Sequence, residues 1–277
     1  MKGKIAITLD KKLLAHVDGM VDGSKVKSRS HAIELLLNKS VNGAPKKAVI
    51  LAGGKGTRLR PITYEIPKAL IPVHDRTLTE HLFDLFKRHS INNVIMAVGH
   101  MSDKIKNHYG DGSRFNVNCS YVQENEPLGT GGPLLLAKDQ LRETFIATNG
   151  DELKDIDLDK MYKFHKKMGA IVTIALTTVS DPSKYGVARL EGGRILEFVE
   201  KPSKEKAPSK LINSGLYIME PEVIELIKPG FCMTEKDVFP ILAKEGKLFG
   251  FPFSGQWFDT GNMERYEKAI KEWKDLA

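Results

Sequence analysis

Short apolar runs that alternate with helical patterns are the feature that most constrains how this chain folds. Three such runs, KAVILAG (47–53), NVIMAVG (93–99) and TFIATNG (144–150), are apolar at nearly every position. That pattern is typical of parallel strands that are covered on both faces. Amphipathic patterns typical of helices lie at 78–89, 132–141 and 158–168. The alternation predicts an α/β fold with a Rossmann-like, doubly wound sheet, whose ligands bind beyond the carboxyl ends of the strands.

A later segment departs from this alternation. The stretch YGVARLEGGRILEFVEKP (185–202) contains two alternating runs around Gly192 and Gly193, which predicts a β-hairpin. The sheet should therefore be mixed, with an antiparallel insertion on a parallel core.

The stretch LAGGKGTRLRPIT (51–63) places several glycines directly after the first apolar run. Glycine lets the backbone approach a ligand closely, and successive free amides form an anion-binding nest. Arg58 adds a permanent, planar positive charge that suits phosphate oxygens. The stretch fits neither a Walker A loop nor the GxGxxG fingerprint. It predicts a site for nucleotide phosphates, and an ordinary tight turn is the alternative when the stretch is taken alone.

The ordered set of motifs along the chain is more specific. LAGGKGTRLRPIT is followed by PKALIPV, ENEPLGTGGPL, NGDEL, FVEKP, INSGLYIMEPEV and WFDTGN, in that order. In these motifs, residues 46–275 resemble the sugar-1-phosphate nucleotidyltransferases, also called NDP-sugar pyrophosphorylases. The resemblance implies an enzyme that joins an NTP and a sugar 1-phosphate, giving an NDP-sugar and pyrophosphate.

The resemblance also implies a set of catalytic residues. Arg58 and Lys68 would hold the triphosphate, and Lys201 would attract the phosphate of the sugar. Asp151 and Asp259 would hold Mg²⁺ against the phosphate oxygens. The structural alternatives are a turn residue for Asp151 and a helix N-cap for Asp259.

Further positions of the same motifs would contact the two substrates. A carboxylate such as that of Glu200 can accept two hydroxyl protons from a sugar. The nucleotide would meet Leu51, Ala52, Gly53, Gly54, Gly56, Thr57, Gln123, Gly129 and Thr130, with Gln123 and Gly129 on the base edge. The sugar would meet Gly186, Glu200, Asn213 and Gly215.

The start of the chain differs from the rest in charge. Residues 1–47 hold ten Lys and Arg against four Asp and Glu, whereas the remaining 230 residues hold 32 against 31. Such asymmetry suggests a nucleic-acid or anionic partner for the first segment, or merely a solvated basic tail. The stretch VNGAPKK (41–47) is typical of a linker. We therefore expect one domain over residues 1–44 and a second over 45–277.

The first segment is patterned as a strand and two helices. Residues 4–9 alternate between apolar and polar side chains, Asp10 is a suitable N-cap for a helix over 11–21, and Ser28 is one for the next helix. Over residues 3–41 this order resembles the ribbon-helix-helix DNA-binding proteins, although His31 stands where a capping glutamate is usual. The resemblance implies a homodimer or larger assembly whose paired strands enter the major groove. The implied DNA contacts are Lys4, Ala6 and Thr8 to bases, and Ser28, Arg29 and Ser30 to phosphate.

Two classes of function follow. The first is an active transferase that uses GTP and mannose 1-phosphate. The segments EPLGTGGPL, NGD and EKDVFPILAKEGKLFGF look most like the mannose-1-phosphate guanylyltransferase branch of the family. Glucose-1-phosphate uridylyl- and thymidylyltransferases are close alternatives. The second is a DNA-binding regulator whose transferase-like domain senses a nucleotide or sugar nucleotide. The chain has two cysteines without metal-ligand spacing, and no apolar run approaches the roughly 20 residues that span a bilayer. A cytoplasmic protein without membrane contact is expected.

Overall fold

The computed structural model of the chain describes residues 6–42 and 45–276. The chain divides into two compact units, with the boundary between residues 43 and 44. The predicted DNA contact at Lys4 lies outside the described residues. Among the helices of the described ranges, none combines the length and the apolar character needed to cross a membrane.

The N-terminal unit contains two helices, α1 (Lys11–Gly19) and α2 (Arg29–Asn42). The predicted N-caps are both present: Asp10 Oδ1 accepts a hydrogen bond from Leu13 N at 2.9 Å, and Ser28 Oγ accepts one from His31 N at 3.2 Å. Residues 6–10 form no strand. A ribbon strand needs a neighbouring strand for its hydrogen bonds, and the described part of this unit offers none.

The large unit is an α/β fold, as predicted. Its helices are α3 (Leu78–Arg88), α4 (Ser102–Tyr109), α5 (Gly132–Leu136), α6 (Leu158–Met168), α7 (Phe239–Lys244) and α8 (Met263–Glu272). Its strands are β1 (Lys47–Ala52), β2 (Pro72–Val73), β3 (Arg76–Thr77), β4 (Asn93–Val98), β5 (Asn118–Gln123), β6 (Phe145–Asn149), β7 (Glu152–Lys154), β8 (Val172–Thr178), β9 (Gly186–Glu191), β10 (Arg194–Glu200), β11 (Leu211–Met219), β12 (Leu248–Pro252) and β13 (Trp257–Asp259).

A nine-stranded mixed sheet organises this unit, in the order β5-β4-β1-β6-β11-β8-β12-β10-β9. Strands β5, β4, β1 and β6 are mutually parallel, and β11 runs antiparallel to β6 and β8. The predicted hairpin is present as the antiparallel pair β9–β10. The three apolar runs form the strands β1, β4 and β6. Side chains on both faces of these strands are buried, which explains why the runs are apolar at nearly every position.

The helical patterns are confirmed with one difference in length. Helices α3 and α6 occupy the predicted segments, and α3 begins with a capping box between Thr77 and Glu80. The pattern over 132–141 gives the five-residue helix α5 followed by a 3-10 turn at Lys138–Gln140. The α-helix stops there because Ala137 leaves the helical region, with ψ at 2°.

Candidate active site

A cleft of about 710 Å³ opens at the carboxyl ends of the parallel strands β5, β4, β1 and β6. This is the edge of the sheet where the fold was expected to bind ligands. The predicted nucleotide-binding residues that line it are Leu51, Ala52, Gly53, Gly54, Lys68, Gln123, Gly129 and Thr130. Asp151, a predicted metal ligand, lines it as well.

The glycine-rich turn after β1 forms the floor of this cleft. A Cβ at Gly53 would lie 2.2 Å from Glu124 Oε1, so only glycine allows that carboxylate to come so close. Gly56 and Thr57 begin the 3-10 turn that carries Arg58, and the carbonyl of Gly56 accepts a hydrogen bond from Thr63 Oγ1 at 2.8 Å. Of the predicted nucleotide contacts in this turn, Gly53 and Gly54 line the cleft, whereas Gly56, Thr57 and Arg58 do not.

Positive charge gathers beside Asp151 at one end of the cleft. Lys68 Nζ forms an ion pair with Asp151 Oδ2. The protein around Asp151 disfavours its charged form, but Lys68, together with Lys154 and Arg58, lowers the pKa of this carboxyl below its ordinary value. Arg58 is exposed, and it reaches the loop of Gly261, where its Nη2 lies 3.2 Å from the position of a Cβ.

A two-stranded ribbon brings the two predicted metal ligands to this end. In the pair β7–β13, Asp259 lies opposite Glu152, the residue after Asp151. Thr260 Oγ1 donates to the carbonyl of Asp151 at 2.7 Å and holds the two segments together. Strand pairing thus joins residues that are far apart in the sequence.

Three groups hold the Asp259 carboxylate. It accepts hydrogen bonds from the Gly261 amide at 2.6 Å and from the Tyr185 hydroxyl at 3.3 Å, and it pairs with Arg265. Asp259 is not the N-cap of the last helix, because Asn262 accepts the hydrogen bond from Arg265 N and caps α8. That structural alternative for Asp259 is wrong.

A buried ion pair beneath the site was not predicted. Lys154 is 2% exposed, and its ammonium donates to Glu152 Oε2 at 3.1 Å, Thr148 Oγ1 at 3.0 Å and the carbonyls of Ser214 and Gly215 at 2.9 and 3.2 Å. Lys154 therefore ties β6 and β7 to the middle of β11. The sequence NGDELK does not indicate that Lys154 is buried, because lysine is ordinarily an exposed residue.

Glu152 also stands beside the predicted metal ligands. Its burial and the nearby Asp151 and Asp259 carboxylates raise the pKa of Glu152 to about 7, although Lys154 opposes the shift. Its side chain accepts hydrogen bonds from Asn149 Nδ2 and from Trp257 Nε1, both at 3.1 Å. Carboxylates and cations thus alternate at this end of the cleft.

The predicted sugar-binding residues lie outside the cleft lining, next to this carboxylate cluster. Gly186 and Glu200 face each other across the β9–β10 pair, and Lys201 Nζ lies 3.0 Å from Glu200 Oε1. Gly215 has φ of +62°, and a Cβ there would lie 2.6 Å from Glu152 Oε1 and 2.4 Å from Asn149 Nδ2. Asn149 lines the cleft, so Gly215 packs against a residue of the cleft wall.

A chain of hydrogen bonds connects the nucleotide and sugar segments. Asn213 Nδ2 donates to the Tyr217 hydroxyl at 2.9 Å, and that hydroxyl donates to Glu235 Oε1 at 3.1 Å. The other oxygen of Glu235 accepts from Thr130 Oγ1, a predicted nucleotide contact. Glu235, Tyr217 and Asn213 are buried, so sequence reasoning identified Thr130 and Asn213 but missed the acid that links them.

The opposite end of the cleft contains Gln123 and Glu124. Gln123 is exposed, and its Oε1 accepts a hydrogen bond from Lys106 Nζ at 2.5 Å. Glu124 Oε2 accepts one from the Leu128 amide at 3.0 Å, and burial raises the pKa of Glu124. Glu124 was not among the predicted residues.

A cleft beyond the carboxyl ends of parallel strands, with a few charged groups at one end, is the place where α/β proteins ordinarily bind ligands. The chain belongs to the nucleotidyl transferase family, whose sequence model matches residues 47–275. It is 41% identical over 226 residues to the mannose-1-phosphate guanyltransferase beta-B of Xenopus laevis, covering 79% of this chain and 62% of that protein.

Other relatives are named for other bases. The chain is 38% identical over 242 residues to a UTP–glucose-1-phosphate uridylyltransferase of Synechocystis, covering 81% of this chain and 62% of that protein. It superposes with a TM-score of 0.76 on a crystal structure of a putative glucose-1-phosphate thymidylyltransferase from Bacillus anthracis, at 27% identity, covering 83% of this chain and 96% of that one. The chain thus spans 62% of the length of these two curated relatives.

Proposed function

We propose that the large unit is a sugar-1-phosphate nucleotidyltransferase. A phosphate oxygen of the sugar 1-phosphate attacks the α-phosphorus of an NTP, the bond from that phosphorus to the bridging oxygen breaks, and pyrophosphate leaves. The observation that carries the proposal is the meeting of Arg58, Lys68, Asp151 and Asp259 at one end of a nucleotide-sized cleft. The names of the relatives support it.

The cations of the site would align and neutralise two anionic substrates. Lys68 lines the cleft and Arg58 is exposed beside it, so both can meet the triphosphate. The Lys201 side chain is 61% exposed, and it forms an ion pair with its neighbour Glu200, so it is available for the phosphate of the sugar. Positioning and charge neutralisation are the main contributions of a protein to phosphoryl transfer.

We propose that Asp151 and Asp259, which pair with Lys68 and Arg265 in this structure, hold Mg²⁺ in the complex with the substrates. Both offer hard oxygen ligands, and they lie close enough to Glu152 to raise its pKa. When bound, the metal would neutralise charge on the phosphate oxygens. Thr260 and Arg265 hold the two aspartates in place.

We propose GTP and mannose 1-phosphate as the substrates, as in the name of the Xenopus relative. The sugar hydroxyls would meet the predicted group of Gly186, Glu200, Asn213 and Gly215. Unpaired thiols at Cys119 and Cys232 agree with a reducing, cytoplasmic location.

The test is a substrate matrix. The purified full chain is incubated with each NTP, a panel of sugar 1-phosphates and Mg²⁺, and pyrophosphate release is measured against a chelated control. We expect metal-dependent release with at least one pair, and an NDP-sugar in the mass spectrum. No release with any pair would reject the transferase and favour the sensor.

For the N-terminal unit we propose a homodimer that binds DNA. Ile7, Leu13, Leu35 and Leu37 are between 40% and 52% exposed, so their apolar surface is available for burial against a second copy. Ser28 already caps α2, and Arg29 is paired with Asp18 through Nη2 at 2.8 Å, so a phosphate would compete with Asp18 for Arg29. Ala6 and Thr8 are exposed, and they remain proposed base contacts.

Deletion of residues 1–44 tests this second function. The truncated chain should keep its transferase activity, because the proposed catalytic residues all lie in the large unit. It should also lose DNA binding and become smaller in sedimentation. Binding by the full chain should weaken steeply with salt. No DNA binding at low salt would leave this unit as a dimerisation device, and a full chain that sediments as a monomer would reject the dimer.

A further inference from the structure

Glu235 is a buried acid that the proposed reaction does not use. It is 6% exposed and lies in a single π-helical turn, Thr234–Val238, just before α7. Its two carboxylate oxygens accept hydrogen bonds from hydroxyls of different segments, Oε2 from Thr130 at 2.5 Å and Oε1 from Tyr217 at 3.1 Å. No described Lys, Arg or His forms an ion pair with it. Turns of this kind are rare and are frequent at functional sites.

The surrounding hydrogen bonds fix the direction of both bonds to Glu235. The Tyr217 oxygen already accepts from Asn213 Nδ2 at 2.9 Å, so its own proton points to the acid. Burial and the nearby charge of Glu235 raise the pKa of Tyr217, so the hydroxyl keeps that proton. The Thr130 oxygen accepts from the Thr234 amide at 3.0 Å, so its proton points to the acid as well. The position therefore requires a group that accepts on both sides, as a carboxylate does.

On the nucleotide side, Glu235 holds a residue of the loop that follows β5. Thr130 lines the cleft. Backbone bonds pair its loop with the segment before the acid, since Gly131 N donates to the Cys232 carbonyl at 2.8 Å and Cys232 N donates to the Leu128 carbonyl at 3.0 Å. These bonds fix the path of the loop, and the bond to Glu235 fixes the hydroxyl of Thr130. The surface that Thr130 presents to a nucleotide thus depends on the acid.

On the sugar side, Glu235 acts through Tyr217 on Asn213. The ladder between β11 and β8 is interrupted between Asn213 and Tyr217, so side-chain bonds hold the Asn213 amide in place of regular pairing. The Gly215 amide donates to Asn213 Oδ1 at 2.9 Å, and the buried Tyr217 hydroxyl holds Nδ2. Nδ2 carries a second hydrogen that can meet a sugar hydroxyl.

We infer that Glu235 is a positioning residue that sets one contact to each substrate, Thr130 for the nucleotide and Asn213 for the sugar. This inference rests on the proposed function, since it takes the cleft and the adjoining Asn213 as the two substrate sites. It goes further because one buried acid, which touches neither substrate, controls the affinity for both. An acid that only stabilised the fold would change the amount of folded protein and leave the affinities of the folded protein as they are.

The test removes the acceptor and then each hydroxyl, in the full chain. Affinities for GTP, GDP and GDP-mannose are measured by calorimetry with Mg²⁺, and the ratio of the GDP-mannose affinity to the GDP affinity isolates the sugar. Glu235→Leu leaves both hydroxyls without an acceptor, so it should lower the affinity for GTP and this ratio by about 10-fold each. Thr130→Val should lower only the affinity for GTP, and Tyr217→Phe only the ratio.

Glu235→Gln is the conservative variant that should rescue both affinities. Its amide oxygen can still accept from Tyr217, and Thr130 can turn its proton to Thr234 Oγ1, which lies 3.0 Å away. Both values should therefore stay within about 3-fold of the parent. If Glu235→Leu does not fold, Glu235→Gln and the two hydroxyl variants decide the question.

Glu220→Gln is the matched control. The carboxylate of Glu220 also accepts from a threonine hydroxyl, that of Thr144 at 2.7 Å, but it follows the last residue of β11, at the end of the strand away from Asn213. This variant should lower Tm and leave both affinities unchanged.

Parent-like affinities in Glu235→Leu would overturn the inference, as would hydroxyl variants that each change both values, or losses of equal size in Glu220→Gln. A parent chain that binds neither GTP nor GDP-mannose would overturn it as well. The expected pattern of affinities in a chain that releases no pyrophosphate would support the inference and reject the proposed reaction.

Discussion

The two ends of the cleft handle charge in opposite ways. At the β6 end each carboxylate already has a cation: Lys68 for Asp151, Arg265 for Asp259 and Lys154 for Glu152. At the β5 end, Glu124 has one backbone amide and no ion pair among the described residues. The carboxylates of the first end are thus paired with cations of the protein, whereas the carboxylate of Glu124 is not.

We propose that the difference corresponds to two different tasks. Phosphates and a metal are the same for every NTP, so the end that meets them can be held rigidly by strand pairing and buried ion pairs. The bases differ only in a few donors and acceptors, so the end that meets them needs an unsatisfied group whose partner the correct base supplies.

Loss of a carboxylate at the β6 end should have the largest effect. Asp151→Asn and Asp259→Asn should each lower kcat by about 1,000-fold, since charge stabilisation by a metal contributes several kcal/mol. Asp139→Asn, at an exposed aspartate remote from the cleft, is the control for the substitution itself. Near-normal Mg²⁺-dependent rates in both variants would reject the metal assignment.

Lys154→Met should be the most destabilising single change at this end. It leaves Glu152 buried without its cation, which typically reduces the free energy of unfolding by about 3–5 kcal/mol. Lys160→Met removes a surface pair with Asp157 and should change it by less than about 1 kcal/mol. Denaturant unfolding measures both, and the double change Glu152→Leu with Lys154→Met should recover part of the loss. A Lys154→Met protein as stable as the parent would contradict the account of the buried pair.

Arg58→Ala should reduce the rate by about 100-fold with little change in stability, because an exposed arginine beside the cleft serves anions. Arg60→Ala, which removes an exposed arginine stacked over Tyr64, is the matched control for rate. If Arg58→Ala lowered Tm sharply while each folded molecule kept its activity, the arginine would be structural.

Lys201→Ala should act on one substrate only. It should raise the KM for the sugar 1-phosphate by about 10-fold and leave that for the NTP unchanged, because one exposed charge contact contributes about 1–2 kcal/mol. Lys204→Ala, three residues further along, should change neither constant. A parallel rise in the KM for the NTP would place Lys201 at the nucleotide end instead.

Much of the fold was accessible from the sequence, because the apolar runs and the helical periods are local signals. The parallel strands, the hairpin at Gly192 and Gly193, and helices α3 and α6 follow from such patterns. The ribbon β7–β13, which joins Asp151 to Asp259, could not be predicted from local pattern, since its short strands pair over more than a hundred residues.

The site was harder to predict where the environment of a residue decides its role. Lys154 and Glu235 look like surface residues in the sequence, but the fold buries both and surrounds them with partners. At the end of β5 the motif leaves two adjacent polar residues as candidates for the base contact. The sequence does not show which of the two side chains faces the glycine-rich turn. In the structure it is Glu124, the residue that follows the last paired residue of β5.

The orientation of the nucleotide is the central claim, and a diffraction experiment measures it directly. Crystals of the protein with GTP and Mn²⁺ in place of Mg²⁺ would give anomalous density at the metal. The account predicts a peak between Asp151 and Asp259, phosphates against Lys68 and Arg58, and the edge of the base beside Gln123 and Gly129. A nucleotide bound the other way round, or a metal peak away from both aspartates, would contradict it.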